Sequence, residues 1–191
     1  MKLVFLDRDG VINEYPGDFQ YVTSWDKFRF LPGVHQAIQR LNRQGYKVFV
    51  ISNQAGVSKG IYPKEELDFI TRNMLKELNK LGAHINGVYY CTHTEEDNCD
   101  CRKPKTGLVE KVIAGLKKNG VLPELSDSYF VGDSIRDIDT GKAARLKTIL
   151  VFSGKEKPEN KNIWQTLPDF TAKDLSGAVE IILKNSKTSD K

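Results

Sequence analysis

The residues with the clearest capacity for chemistry are two acids, Asp7 and Asp9, which stand one position apart directly after the apolar run Leu3–Leu6. Four consecutive apolar residues are typical of a strand buried inside a parallel sheet, and such sheets bind ligands at the carboxyl ends of their strands. One carboxylate there can attack phosphorus, while a second protonates the leaving oxygen and then activates water. Taken alone, the pair is equally typical of a strand that turns into a loop.

Four further polar residues have the chemistry that phosphate binding requires. Ser52 offers a hydroxyl and Asn53 an amide, and both follow a second apolar run. Lys103 supplies a point charge and Arg102 a forked pair of donors. Each has an ordinary alternative, such as a helix cap for Ser52 or simple solvation for the two basic residues. Their occurrence together with the acid pair predicts a phosphate-binding crevice.

A third acid, Asp133, follows another apolar run and predicts a magnesium site. Mg²⁺ prefers oxygen ligands, and we expect it to be held by the Asp7 and Asp133 carboxylates and by the backbone carbonyl of Asp9, with water completing the shell. Asp137, one helical turn further on, is placed to hold one of those waters. The alternative for Asp133 is a common Gly-Asp turn.

A second metal site is predicted by four residues that lie close together in the sequence. Cys91, His93, Cys99 and Cys101 form a complete tetrahedral ligand set for a structural zinc, with no position left open for water. Three clustered cysteines are a poor basis for disulfides, and the alternative is three free thiols beside a surface histidine. The two basic residues after Cys101 lead us to expect that zinc directs their side chains towards the phosphate.

The elements that position these residues alternate along the chain. Strands are predicted over about residues 3–6, 46–51, 85–90, 128–131 and 147–152, and helices over about 31–44, 63–81, 105–118, 135–144 and 172–184. This alternation predicts an α/β protein with a three-layer, Rossmann-like parallel sheet. Residues 14–30 are expected to form an aromatic flap over the edge of the sheet. We predict a single domain over residues 1–185, followed by a flexible tail over 186–191.

Composition narrows the possible functions of the 191 residues. The formal net charge is only +4, and no basic stripe with interleaved aromatic residues indicates nucleic-acid binding. No stretch has membrane-spanning length, and a strand begins at once where a signal peptide would lie. We therefore expect a cytoplasmic protein without a nucleic-acid or membrane partner. Separately, we expect a monomer, and the acids, hydroxyl and lysine described above predict that its partner is a small phosphorylated metabolite.

Four segments resemble the motifs of the haloacid dehalogenase superfamily of phosphohydrolases. They lie at residues 5–13, 51–54, 102–105 and 131–134 with Asp137, and the similarity spans about residues 2 to 151. The first motif, with Arg8 between the acids and Asn13 after the glycine, is similar to the histidinol-phosphatase subgroup. The resemblance implies a capless enzyme with a haloacid dehalogenase-like fold, and a cysteine loop of this kind is common in the subgroup.

The resemblance also implies a role for individual residues. Asp7 becomes the nucleophile and Asp9 the acid/base, Ser52 and Lys103 stabilise the phosphoryl group, and Asp133 binds Mg²⁺. The residues expected to contact substrate are Arg8, Asn13, Asn53, Gln54 and Arg102.

Two features of the sequence point to different substrates. The segment 53–60 resembles enzymes that remove the 7-phosphate from heptose 1,7-bisphosphate, whereas the short spacing from His93 to Cys99 resembles histidinol-phosphate phosphatases. We favour the heptose bisphosphate, because segment 53–60 faces the crevice while loop length varies easily.

Two other classes of protein remain as alternatives. A phospho-accepting signalling domain also combines acids, a hydroxyl and a lysine on a parallel sheet, but Asp9 and the cysteine loop argue against it. A zinc-stabilised interaction module without catalysis would leave four intact motifs unexplained.

Overall fold

The computed structural model describes residues 1–189 and contains one parallel sheet of six strands in the order β3-β2-β1-β4-β5-β6. The strands are β1 Leu3–Leu6, β2 Lys47–Asn53, β3 Gly87–Cys91, β4 Tyr129–Gly132, β5 Lys147–Val151 and β6 Phe170–Ala172. The helices are α1 Val34–Arg43, α2 Lys64–Lys80, α3 Gly107–Lys118, α4 Ile135–Ala143 and α5 Leu175–Ser189. The predicted three-layer parallel architecture is confirmed.

Alternate residues of the central strands face opposite sides of the sheet. Val4 and Leu6 contribute to a core that includes the buried faces of α1, α2 and α5, while Leu3 and Phe5 contribute to a second core against α3. All four side chains are fully buried, which explains why β1 has no polar residue.

The chain reverses its direction of travel across the sheet at β1. From β1 it moves outward to β2 and β3, and it then returns to place β4 on the other side of β1. Loops diverge at such a switch point and leave a crevice at the carboxyl ends of the two strands. Asp7 follows β1 and Asp133 follows β4, so both acids lie at this crevice.

The sixth strand is the main element that the sequence did not predict. Phe170 pairs with Ile149 of β5, and Asp169 accepts hydrogen bonds from the backbone N–H and the hydroxyl of Thr148 at 2.8 and 2.9 Å. Three residues at a sheet edge, none of them fully buried, form too short a run to be recognised in a sequence. As a result α5 begins at Leu175 instead of residue 172.

The predicted flap has two parts with different surroundings. Val22 and Phe28 are buried in the main core, and Phe28 stacks on Trp25 with ring centres 5.0 Å apart. Residues 15–21 instead line the crevice at the carboxyl ends of the strands. The flap is therefore anchored in the core by its second half, and its first half forms part of the crevice wall.

The end of the chain differs from the predicted boundaries. Helix α5 continues through Ser189, where the prediction ended it near residue 184. The predicted tail over 186–191 thus overlaps its last turn, and residues 190–191 lie outside the described residues. Over residues 1–189, no helix has the combined length and apolar character needed to cross a membrane.

Candidate active site

Asp7 lies at the floor of the crevice, directly after β1. One carboxylate oxygen accepts a hydrogen bond from the backbone N–H of Arg8 at 2.7 Å, and the other lies 2.8 Å from Nζ of Lys103. Burial raises the pKa of Asp7 to about 6, against the opposing effect of the Lys103 charge and a hydrogen bond with Ser52. Asp7 is thus largely ionised at neutral pH and is a candidate nucleophile.

Lys103 is held by three acceptors in an almost fully buried position. Its Nζ lies 2.8 Å from Asp7, 2.5 Å from Asp137 and 3.1 Å from the carbonyl oxygen of Ile51. Burial alone would lower the pKa of Lys103, but the carboxylates of Asp137 and Asp7 together raise it. The ammonium group therefore stays charged where the oxygens of a phosphate would bind.

Asp137 links Lys103 to the start of α4. Its side chain is fully buried, and its second oxygen accepts hydrogen bonds from the backbone N–H of Ser134 at 3.1 Å and from the Ser134 hydroxyl at 2.6 Å. The bond from the backbone N–H is one half of a capping box at the start of α4, in which the Ser134 side chain also accepts from the backbone of Asp137. The sequence suggested that Asp137 holds a metal-bound water, whereas in the structure it positions Lys103.

The two carboxylates predicted to bind magnesium, Asp7 and Asp133, lie close together beside Asp137. Carboxylate oxygens of Asp7, Asp133 and Asp137 lie within 4.8 Å of one another. Asp133 is 4% exposed, and burial together with the neighbouring charge of Asp7 raises its pKa well above the usual range. A Cβ at Gly10 would lie 2.1 Å from the Asp133 carboxylate, so only glycine leaves room for it. Buried carboxylates this close repel one another, and a hard divalent cation removes that repulsion.

Asp9 points to a different set of neighbours from Asp7. Its carboxylate oxygens accept hydrogen bonds from the guanidinium of Arg8 at 2.9–3.1 Å, from the Asn13 amide at 2.8 Å and from the Gln54 amide at 2.8 Å. The hydroxyl of Tyr62 donates to the amide oxygen of Gln54 at 2.8 Å, which turns the Gln54 NH₂ group towards Asp9. The side chain of Asp9 is 19% exposed and still lines the crevice.

This network changes the roles predicted for Arg8, Asn13 and Gln54. The three residues are at most 1% exposed, and none of them lines the crevice. The placement does not support the prediction that they contact substrate. Since their polar groups converge on Asp9, we reassign them to orienting its carboxyl group. Tyr62 belongs to the same network and was missed, because a buried tyrosine in a loop has no distinguishing pattern.

Ser52, Asn53 and Arg102 do line the crevice, as predicted. The Asn53 amide bridges to the backbone of Lys103, donating to its carbonyl oxygen at 3.2 Å and accepting from its N–H at 3.1 Å. The end of β2 is thereby tied to the segment that carries the lysine. Arg102 donates to the carbonyl oxygen of His93 at 3.2 Å.

The cysteine loop, residues 91–101, brings its four predicted ligands together. The Sγ atoms of Cys91, Cys99 and Cys101 lie 3.1–3.6 Å apart, and Nδ1 of His93 lies 3.2 Å from Sγ of Cys101. Tetrahedral zinc with bonds to sulfur of about 2.3 Å needs ligand atoms separated by roughly 3.5–3.8 Å. Three thiols and one imidazole at nearly this spacing fit a structural zinc ion.

A cavity of about 1010 Å³ is lined by the acids Asp7, Asp9 and Asp133 and by Ser52 and Lys103. Its walls include residues that sequence reasoning missed, among them Glu95, Arg136 and Lys155. The backbone N–H of Lys155 donates to the Asp133 carboxylate at 2.8 Å, so the loop after β5 helps to hold the predicted metal ligand. That loop belongs to none of the predicted motifs.

This fold, together with this arrangement of acids, hydroxyl and lysine, defines a class of enzyme: the phosphatases of the haloacid dehalogenase type. A comparison with protein families agrees, because residues 2–184 match the family described as "Polynucleotide kinase 3 phosphatase". The chain belongs to this family of haloacid dehalogenase-like phosphatases. The predicted resemblance to the superfamily and the predicted enzyme class are confirmed.

Relatives with assigned functions match the chain over most of its length. A D-glycero-beta-D-manno-heptose-1,7-bisphosphate 7-phosphatase of Neisseria meningitidis is 36% identical over 181 residues, which cover 90% of this chain and 93% of the relative. A D-glycero-D-manno-heptose-1,7-bisphosphate 7-phosphatase of Chlorobaculum tepidum is 34% identical and covers 98% and 97% of the two chains.

Solved structures extend this similarity to three dimensions. The D,D-heptose 1,7-bisphosphate phosphatase of B. bronchiseptica, solved with magnesium and phosphate, superimposes with a TM-score of 0.84 at 32% identity, over 97% of this chain and 99% of that one. A second heptose bisphosphate phosphatase, from Burkholderia thailandensis, gives a TM-score of 0.65 at 28% identity over 96% and 99%.

Proposed function

We propose that this chain removes the 7-phosphate from D-glycero-D-manno-heptose 1,7-bisphosphate. The observation that carries the proposal is the match to phosphatases of this substrate over nearly the full length of both chains, at 34–36% identity. The site supports it independently, since a candidate nucleophile, a second acid and a fixed lysine meet at the base of one cavity.

The residues divide the proposed reaction between them. A carboxylate oxygen of Asp7 attacks the phosphorus, and the bond from phosphorus to the sugar oxygen breaks as Asp9 gives that oxygen a proton. Asp9 then takes a proton from water, which attacks the aspartyl-phosphate and releases Asp7 and phosphate. Lys103 and the hydroxyl of Ser52 stabilise the charge on the phosphoryl oxygens throughout.

Two metal ions belong to the proposal. Asp7 and Asp133, with the backbone carbonyl of Asp9, would hold Mg²⁺, which supplies charge neutralisation on the phosphoryl oxygens when bound. Magnesium is present in the related B. bronchiseptica structure. The cysteine loop would hold a structural zinc, whose ligation fixes the backbone directly before Arg102.

A panel of phosphate esters tests the proposed substrate. We expect kcat/KM to be highest for the heptose bisphosphate and lower for histidinol phosphate. Histidinol phosphate is included because the short spacing from His93 to Cys99 resembles that of histidinol-phosphate phosphatases. An oligonucleotide with a 3′-phosphate belongs in the panel because the family description names such an activity. A higher kcat/KM for either competitor would refute the substrate assignment.

Three further properties stay predictions: a cytoplasmic location, a monomeric state and the absence of nucleic-acid binding.

Replacement of the nucleophile tests the mechanism. Asp7→Asn should lower kcat by about 10³-fold or more, since a nucleophile cannot be replaced by its uncharged amide. Asp139→Asn is a matched control, because Asp139 also lines the cavity but belongs to no contact described above. Phosphate release by Asp7→Asn at a rate near that of the unaltered protein would exclude an aspartyl-phosphate on this residue.

A further inference from the structure

Three charged side chains in the cavity wall have no step assigned to them in the proposed hydrolysis. They are Glu95, Arg102 and Arg136. Oε1 of Glu95 lies 3.1 Å from Nη2 of Arg136 and 3.6 Å from Nη2 of Arg102. One carboxylate oxygen therefore pairs with two guanidinium groups. The triad joins two parts of the fold: Glu95 lies in the cysteine loop and Arg102 directly follows it, whereas Arg136 lies in the first turn of α4.

The two arginines offer more hydrogen-bond donors than one carboxylate accepts. The Nε atom of Arg102 is buried and has no hydrogen-bond partner within residues 1–189. Its Nη1 donates to the carbonyl oxygen of His93, which holds the side chain in place against the cysteine loop. With Glu95 ionised the triad keeps one net positive charge, so its preferred ligand is an anion with more charge and more acceptors than a carboxylate.

A phosphate monoester has these properties. It carries close to two negative charges at neutral pH and three acceptor oxygens, and guanidinium groups bind it through paired donors. Glu95 and Arg136 are substantially exposed, at 69% and 46% of their side chains, and exposed ion pairs contribute little free energy. A phosphate can therefore take the place of the Glu95 carboxylate at little cost.

We propose that Arg102 and Arg136 bind the phosphate group that the enzyme does not hydrolyse, and that Glu95 occupies this position until substrate binds. The inference rests on the proposed bisphosphate substrate and adds a specificity-determining residue, Arg136, that none of the motifs contains. Glu95 weakens binding of the substrate, because its carboxylate competes with the second phosphate for both arginines.

The test compares two substrates that differ only in the second phosphate, heptose 1,7-bisphosphate and heptose 7-phosphate. Arg136→Ala should lower kcat/KM for the bisphosphate by about tenfold or more, the usual effect of losing a hydrogen bond to a charged group. The same variant should change kcat/KM for the 7-phosphate by less than about twofold. Glu95→Gln should lower KM for the bisphosphate, and Arg136→Lys should retain part of the preference.

Arg43→Ala is the matched control, because Arg43 is exposed at the end of α1 and does not line the cavity. It should leave the ratio of the two kcat/KM values unchanged, and thermal melting should show that each variant folds. Equal effects of Arg136→Ala on both substrates, no effect on either, or a higher KM in Glu95→Gln would overturn the inference and leave the proposed function intact. If the unaltered protein hydrolyses p-nitrophenyl phosphate but not the bisphosphate, both the proposed function and the inference fail.

Discussion

At the scale of single residues, the charge balance of the site rests on Asp7, Asp133 and Asp137, which share a buried space with the ammonium group of Lys103. Three carboxylates and one ammonium leave an excess of negative charge. Burial raises the pKa of Asp7 to about 6 and that of Asp133 well above its usual range, because an ionised carboxylate is poorly solvated there. Protons and a divalent cation therefore compete for these acids.

This competition predicts that magnesium stabilises the protein more at pH 7.5 than at pH 5. The carboxyl pKa of Asp7 is about 3.9 in an unfolded chain and about 6 in the native protein. Between these values the native state binds more protons, so without magnesium the free energy of unfolding falls as the pH rises. Magnesium binds the deprotonated acids, and at 100 times its dissociation constant it should add about 2.7 kcal/mol.

Thermal melting with and without MgCl₂ at the two pH values measures this effect. Asp133→Asn should lose most of the magnesium-dependent shift, while Asp139→Asn should keep it. An equal shift at pH 5 and pH 7.5, or a full shift in Asp133→Asn, would contradict the assignment of this cluster as the magnesium site.

At the scale of elements, the cysteine loop joins β3 to the segment that carries Lys103. Cys91 ends β3, and Cys101 stands two residues before Lys103. The loop is mostly exposed, and its exposed residues cannot form a core of their own. A zinc ion held by the four side chains, as proposed, would supply the missing cross-links, and the position of Lys103 would then depend on the loop being closed.

We therefore predict that loss of zinc lowers both stability and activity. Cys101→Ser should remove the bound zinc, lower the melting temperature and reduce kcat about tenfold or more, the range seen when a metal site loses a supporting group. Elemental analysis should find one zinc per chain in the unaltered protein. Asp100→Ser is the control, since Asp100 lies between two of the cysteines with a fully exposed side chain. Full activity of a zinc-free Cys101→Ser protein would show that the loop does not position the lysine.

At the scale of the whole molecule, α5 closes the main core although it lies far along the chain from β1. Leu175, Ala178, Val179 and Ile182 are buried in the same cluster as Val4 of β1. The predicted single domain over residues 1–185 implies that this helix and the central strands unfold together.

Truncation of Ile182 tests that prediction. Ile182→Ala should lower the free energy of unfolding by about 2–5 kcal/mol, since it removes a fully buried side chain from a packed core. Ile163→Ala should change it by less than about 0.5 kcal/mol, because that side chain is 77% exposed. Denaturant unfolding followed by tryptophan fluorescence and by circular dichroism should give one shared transition for both variants. Separate transitions would contradict a single cooperative domain.

The sequence predicted the parts of this molecule that depend on short stretches of chain. The apolar runs at residues 3–6 and 129–131 identified buried strands, and the polar residues after them identified the acids of the crevice. Cys91, His93, Cys99 and Cys101 identified their own cluster, because four ligands within eleven residues can meet in a single loop without help from distant segments. Strand β6 was not predicted, because its stability comes from β5 and not from its own three residues.

By itself, then, the sequence determined the class of fold, the order of its elements and the chemical groups at the ends of the strands. Only the tertiary structure decided that Arg8 is buried against Asp9, that Asp137 holds Lys103 and that Glu95 stands between two arginines. The physical reason is that spacing along the chain governs turns, strands and compact ligand sets. The burial and charge partners of a side chain depend instead on which distant segments the fold brings against it.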